Sequence, residues 1–164
     1  MTNIESLRGK IITPQQAYDL IKSGWHGNLK DYKVSPNFNW GEVFTSCSRL
    51  EIFQCPRAYY NNALKQAQTM EKVRAIFGKP VTVTSWYRDK AHNEAVKGGS
   101  KSQHLLALAT DFTVKGLESI EGNLTVQKKL DKLDFMQTCG MEWTGGFWTH
   151  VDSRGKKERF PIKK

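Results

Sequence analysis

Residues 81–111 read VTVTSWYRDKAHNEAVKGGSKSQHLLALATD. The β-branched run VTVTS (81–85) predicts a strand. Arg88 follows in a polar turn, DKAHNEAVKGG reads as a short helix stopped by Gly98-Gly99, and HLLALATDFTV leads into a second strand. The last part of that run, ATDFTV, alternates. After the Gly-Gly loop comes a histidine, His104, and, seven residues on, an aspartate, Asp111. Far downstream, WTHVDS sets a second histidine, His150, on another strand-like segment. Two imidazoles and a carboxylate on rigid elements suit a zinc ion that keeps one position open. Spacing alone does not decide it, because a histidine and an aspartate seven apart also arise by chance.

Outward from this stretch, the pattern is helices first, then strands interrupted by helices. Residues 1–12 read as a loose arm, and Thr13-Pro14 caps a short helix, QQAYDLIKSG, that closes on Gly24 with Tyr18, Leu20 and Ile21 apolar. FNWGEVFTSCSRL suggests a cap and a short helix. After Pro56 a long helix runs to Gly78 with Tyr59, Ala63, Ala67, Met70, Val73, Ala75 and Phe77 on its apolar side. TVQKKLDKLDFMQTCG reads as an amphipathic helix with Leu130, Leu133 and Met136 inward, ending at Gly140. MEWTGG and FWTHVDS form a hairpin about Gly145-Gly146, and GKKERF adds an edge strand. The fold class expected is α+β, a small antiparallel sheet flanked by helices in a single domain. An N-terminal arm and helix (1–37) would pack on the main domain (38–164).

Composition bounds the function. A chain of 164 residues with 38% hydrophobic residues supports one core. The formal net charge of +9 favours an anionic partner, such as nucleic acid, an acidic membrane surface or an anionic cell wall, or serves solubility alone. No basic cluster is dense enough for a specific nucleic-acid patch. Three cysteines (Cys47, Cys55, Cys139) without CxxC spacing argue against a disulfide framework and against a zinc–thiolate site, and for folding in a reducing compartment. The sequence shows neither a signal-peptide pattern nor an apolar run near the ~20 residues of a membrane span. The expectation is a monomer made in the cytoplasm with no membrane partner, one that something else must release if it acts outside.

The flanking residues sharpen the metal reading. SWYRDKAHNEAVKGGSKSQHLLALATDF followed by WTHVDSRGKKERF resembles the M15 family of zinc D-Ala-D-Ala peptidases. That family's pattern is a strand ending in Ser-Gly-Tyr-Arg, an Asn, a Gly-Gly-x-x-x-Ser-x-His loop, an Asp, and a distant His-x-Asp. The likeness spans roughly Phe38 to Phe160, since FNWGEVF also resembles the lead-in of one branch. The resemblance implies a hedgehog/DD-peptidase-like fold and a Zn2+ site made by His104, Asp111 and His150. It also implies Arg88 as an electropositive anchor for substrate and Ser102 as a hydrogen-bonding neighbour of the site. Otherwise Arg88 would pair with Asp89 or Glu94, and Ser102 would serve only a turn. Trp148, with Trp143, would wall a substrate groove or fill the core.

Three departures stand out. Trp86 replaces the pattern's glycine, LLALAT lacks a small glycine common between the first histidine and the aspartate, and Phe147-Trp148-Thr149 occupy the segment where a general base often lies. Glu142 is the preferred base and Asp152 the second choice. Asp152 could instead orient an imidazole or pair with Arg154. The function expected is a zinc peptidase acting on bacterial peptidoglycan, similar to a phage endolysin that reaches the wall after a holin-type release or from the virion. The alternative is a catalytically inactive, metal-stabilised binding module or virion component.

Overall fold

Thr13 opens the first helix with a reciprocal cap: its hydroxyl accepts from the Gln16 N–H at 3.1 Å, and the Gln16 side chain accepts from the Thr13 N–H at 2.8 Å. The computed structural model describes residues 3–143 and 146–161. After this helix, α1 (Pro14–Lys22), come the two-stranded pair β1 (Lys33–Ser35) and β2 (Phe38–Asn39) and two brief helices, α2 (Trp40–Val43) and α3 (Arg49–Gln54). The long α4 (Arg57–Phe77), β3 (Val81–Ser85), α5 (Lys90–Ala95), β4 (Ala109–Val114) and α6 (Ile120–Asp131) follow. Three strands close the order: β5 (Gly140–Trp143), β6 (Thr149–Asp152) and β7 (Glu158–Pro161).

The N-terminal residues are tied down rather than loose. Ile11 bridges to Lys33, Ile12 is fully buried, and Ile4 and Leu7 pack against the core. That core is continuous from Ile12, Leu20 and Tyr32 through Trp40, Tyr60 and Met70 to Phe112 and Val151. On α4, Tyr60, Ala63, Gln66, Ala67, Met70 and Val73 are buried, whereas Ala75 is exposed and Tyr59 and Phe77 are half-buried. Gly78 ends α4 at φ +59°, a left-handed residue whose N–H returns to the Arg74 carbonyl.

The main sheet has five strands in the order β3-β4-β6-β5-β7. The first three pairings are antiparallel, but β7 runs parallel to β5, so the sheet is mixed and not purely antiparallel. The cause is topological. Both sides of β6 are occupied by β4 and β5, so the chain leaving β6 steps past β5 and reaches its free edge already aligned with it.

The predicted helix at TVQKKLDKLDFMQTCG is also corrected. Helix α6 begins earlier, with the Ser119 hydroxyl accepting from the Gly122 N–H at 2.9 Å. Gly122 suits this turn because a Cβ there would lie 2.5 Å from the Leu117 carbonyl oxygen. The helix stops at Asp131, and residues 134–138 form a 3-10 turn. The freed acceptors are used by Arg159 of β7, which donates to the Asp131 carboxylate (2.6 Å) and to the carbonyls of Cys139 (2.8 Å) and Met136 (3.1 Å).

Helices cover one face of the sheet. Gln66 of α4 donates to the Thr110 hydroxyl (3.2 Å) and the Val151 carbonyl (2.9 Å), and its own carbonyl accepts from Ser153 (2.6 Å). The Thr149 hydroxyl of β6 donates to Asn123 of α6 at 3.3 Å. Residues 109, 111, 150 and 152 alternate with these and point to the opposite face. Gln66→Leu removes the donor to the Val151 carbonyl and the Thr110 hydroxyl and leaves the buried Ser153 hydroxyl with Thr69 alone. It is expected to cost about 1–3 kcal/mol of unfolding free energy in urea titrations.

Candidate metal and catalytic site

The sheet register brings the chemistry together. Asp111 on β4 lies directly opposite Ser85 on β3 and His150 on β6, and Ala109 lies opposite Asp152. On β5, Gly140 pairs with Asp152 and Met141 with Val151. Glu142 pairs with Phe160 of β7, and by alternation it shares the face of Gly140 and its partner Asp152. Residues opposite one another in a ladder share a face. Ser85, Asp111 and His150 therefore form one row across β3, β4 and β6, with Glu142 and Phe160 on the same face.

His104 enters from outside the sheet. It lies on a 3-10 turn, Gln103–Leu106, whose first N–H groups are capped by Ser102; the Ser102 hydroxyl accepts from the His104 N–H at 3.3 Å. Its imidazole Nδ1–H donates to the Trp86 carbonyl at 2.6 Å, so Nε2 carries the lone pair and faces Asp111 Oδ1 at 3.2 Å. The same Oδ1 lies 2.8 Å from Nδ1 of His150. Nε2 of His150 contacts Asp152 Oδ2 at 3.0 Å, and Arg154 grips Asp152 with two bonds of 2.7 Å. All three donor residues are largely buried, and their ligand atoms lie within 4.8 Å of one another.

The remaining polar groups hold this trio. Arg88 donates to the outer oxygen of Asp111 (3.3 Å), to Ser85 (3.1 Å) and to Asn93 (3.3 Å), and its backbone N–H reaches the His104 carbonyl. Its partner is thus Asp111 and not Asp89 or Glu94. Asn93, buried on α5, also donates to the Gly99 carbonyl at 3.0 Å, and a Cβ on Gly98 would overlap its carboxamide. The Gly-Gly loop is therefore clasped to the guanidinium that faces Asp111. Trp148 is 46% exposed and available to a ligand, while the side chain of Trp143 and the turn at Thr144-Gly145 lie outside the described residues.

Asp152 is completely buried behind His150, on the side away from Asp111. In that position it orients the ring and strengthens its other nitrogen. Gly140 makes this possible, because a Cβ there would meet the Asp152 oxygens at 2.5 and 2.6 Å and Arg154 Nε at 2.6 Å. Sequence reasoning took Gly140 only as a helix stop and gave Asn93 no role. The alternation of GMEW against THVD was the available signal for Gly140, and the Asn-x-x-x-x-Gly-Gly spacing for Asn93.

Electrostatics follow from this packing. Burial pushes the Asp111 carboxyl up, but charge and hydrogen bonds from His104 and His150 outweigh it and hold the group well below the usual carboxylate range. Burial lowers His104. Burial also lowers His150, yet the bonds to Asp111 and Asp152 prevail and raise it to about 9. The donor set fits zinc: two nitrogen lone pairs and one carboxylate oxygen, each imidazole fixed through its other nitrogen.

These three donors converge on one face of an α+β sheet, an arrangement that fits a single divalent ion. Residues 37–152, well over half of the chain, match the family model described as Peptidase M15, and the chain belongs to the M15 family of peptidases. A search of curated proteins finds no match.

The raised His150 makes a stability prediction. Its contribution is fully present below the unfolded value near 6.5 and is lost as pH rises through about 9. The lowered Asp111 and Asp152 act at acid pH, outside this window. The melting temperature of chelator-treated protein should therefore fall between pH 6.5 and 9. Asp152→Asn should flatten that fall and weaken zinc binding about 10–100-fold.

Proposed function

We propose that this peptidase is a zinc enzyme that cuts peptide bonds in bacterial peptidoglycan. The observation that carries the reading is the convergence of His104 Nε2, Asp111 Oδ1 and His150 Nδ1, each backed by its own partner. These three residues would hold the metal. When bound, zinc supplies Lewis-acid chemistry: it polarises the carbonyl of the bond to be cut and lowers the pKa of the attacking water.

The chain's own residues do the rest. The Trp86 carbonyl and Asp152 keep both imidazoles in one orientation. Arg88 neutralises the outer oxygen of Asp111, and its guanidinium, 11% exposed, offers positive charge to a substrate carboxylate or carbonyl. Glu142, on the same sheet face as His150, takes the proton from water and returns it to the leaving nitrogen. This reading gives Glu142 the role of base and Asp152 that of orienting partner. Ser102 and Trp148 border the substrate. The net charge of +9 favours the anionic wall. Within this reading the chain serves wall breakdown late in phage growth.

The test is incubation of zinc-loaded protein with purified peptidoglycan, with released fragments read by mass spectrometry. Cleaved stem peptides or cross-links are expected from the wild type and none from His104→Ala. Intact stems from zinc-loaded wild type would instead favour an inactive binding module of the same fold. Glu142→Gln should lower kcat by about 10²–10⁴-fold while keeping its zinc.

A further inference from the structure

A second cluster lies across the 85–89 loop from the His104 site. Cys47 precedes α3, Glu51 lies on its first turn, and His92 lies on α5. The Glu51 carboxylate is 3.1 Å from His92 Nδ1, and both side chains are 17% exposed. The Cys47 thiol donates to the Tyr87 carbonyl at 3.1 Å. Thiol, carboxylate and imidazole atoms all lie within 4.8 Å of one another.

We propose that Cys47, Glu51 and His92 form a second, structural zinc site. Sulfur, nitrogen and oxygen donors at this separation match the borderline-soft character of Zn2+. Glu51 and His92 come from two short, capped helices, and Cys47 from the turn before α3. Ser48 caps α3 by accepting from the Glu51 N–H (3.2 Å), and Asp89 caps α5 by accepting from the His92 N–H (2.7 Å). Binding forms a sulfur–zinc bond, and the thiol proton leaves to solvent. Burial first, and then the Glu51 carboxylate, push the Cys47 thiol up, so its proton leaves only as the cation binds.

The spacing argument made from the sequence, that no pair of cysteines frames a zinc–thiolate site, does not apply to a site with one sulfur. Its consequence is mechanical. The ion would staple α3 to α5 around the loop whose Trp86 carbonyl orients His104 and whose Arg88 faces Asp111. The two sites would thus be separate in ligands but joined through five residues of backbone, 85–89.

The test uses the full chain, stripped of metal under reducing conditions and titrated with zinc against a chromophoric chelator, then with cobalt. The wild type should take up two equivalents of zinc, and Cys47→Ser and His92→Gln one each. The cobalt form should show a thiolate-to-metal charge-transfer band in the near ultraviolet. His150→Ala, which removes the first site, should keep that band, so failure of either site is read separately. A folded, cobalt-loaded wild type without the band would overturn the proposal even if Cys47→Ser failed to fold. A single equivalent of zinc that Cys47→Ser leaves unchanged would overturn it as well.

Discussion

The carboxylate of Asp111 is the constraint on which the rest of the site depends. It is buried on the second strand of the sheet and carries its charge there, which is costly unless every lone pair finds a partner. Oδ1 is shared by the two imidazoles, and Oδ2 meets the Arg88 guanidinium. These partners come from three separate segments: the turn after β3, the 3-10 turn and β6. Their convergence on one side chain is what orders the Gly-Gly loop, the 85–89 turn and the sheet register relative to each other. A register slip of one residue on β6 would turn His150 to the helix-covered face and leave Asp111 with an unmatched charge.

The burial of β4 follows from the same arrangement. ATDFTV reads as an alternating strand with one polar face, yet all but Thr113 are buried. On one face Thr110 and Phe112 meet α4 and the core. On the other, Asp111 is covered by its own ion partners instead of by solvent. A strand that looks half-exposed by pattern is buried on both sides because its polar face is the site. The mixed roles of Asp152 and Gly140 extend this logic outward: a carboxylate fits behind His150 only because the neighbouring strand contributes no side chain there.

The sequence made the chemistry legible and the topology only in part. His104, Asp111 and His150 stood out because the residues flanking them follow the M15 pattern, and the strands at 81–85 and 109–114 and the long α4 followed from composition and spacing. The direction of β7 was not legible, since it depends on which edges earlier pairings leave free. The true start of α6 was hidden by Gly122, which reads as a breaker but is required by the close Leu117 carbonyl. Glu51 and His92 were invisible as a pair because they are 41 residues apart, and nothing local marks contacts of that range.

The departures from the family pattern at Trp86 and in LLALAT have a joint physical account. Ala107 adopts φ +59°, a left-handed conformation that costs an alanine on the order of 1 kcal/mol and a glycine almost nothing. The indole Nε1–H of Trp86 donates to the Ala107 carbonyl at 3.0 Å, and the ring is fully buried, edge-on to Phe38. The clamp offsets the strain and fixes the turn from the core side. Because the carbonyl of the same Trp86 holds His104 Nδ1, the orientation of the first histidine is set by the packing of one large side chain. Where a glycine pair would leave the turn to backbone freedom alone, this chain ties it to the hydrophobic core, so the geometry of the site and the stability of the fold are coupled at Trp86.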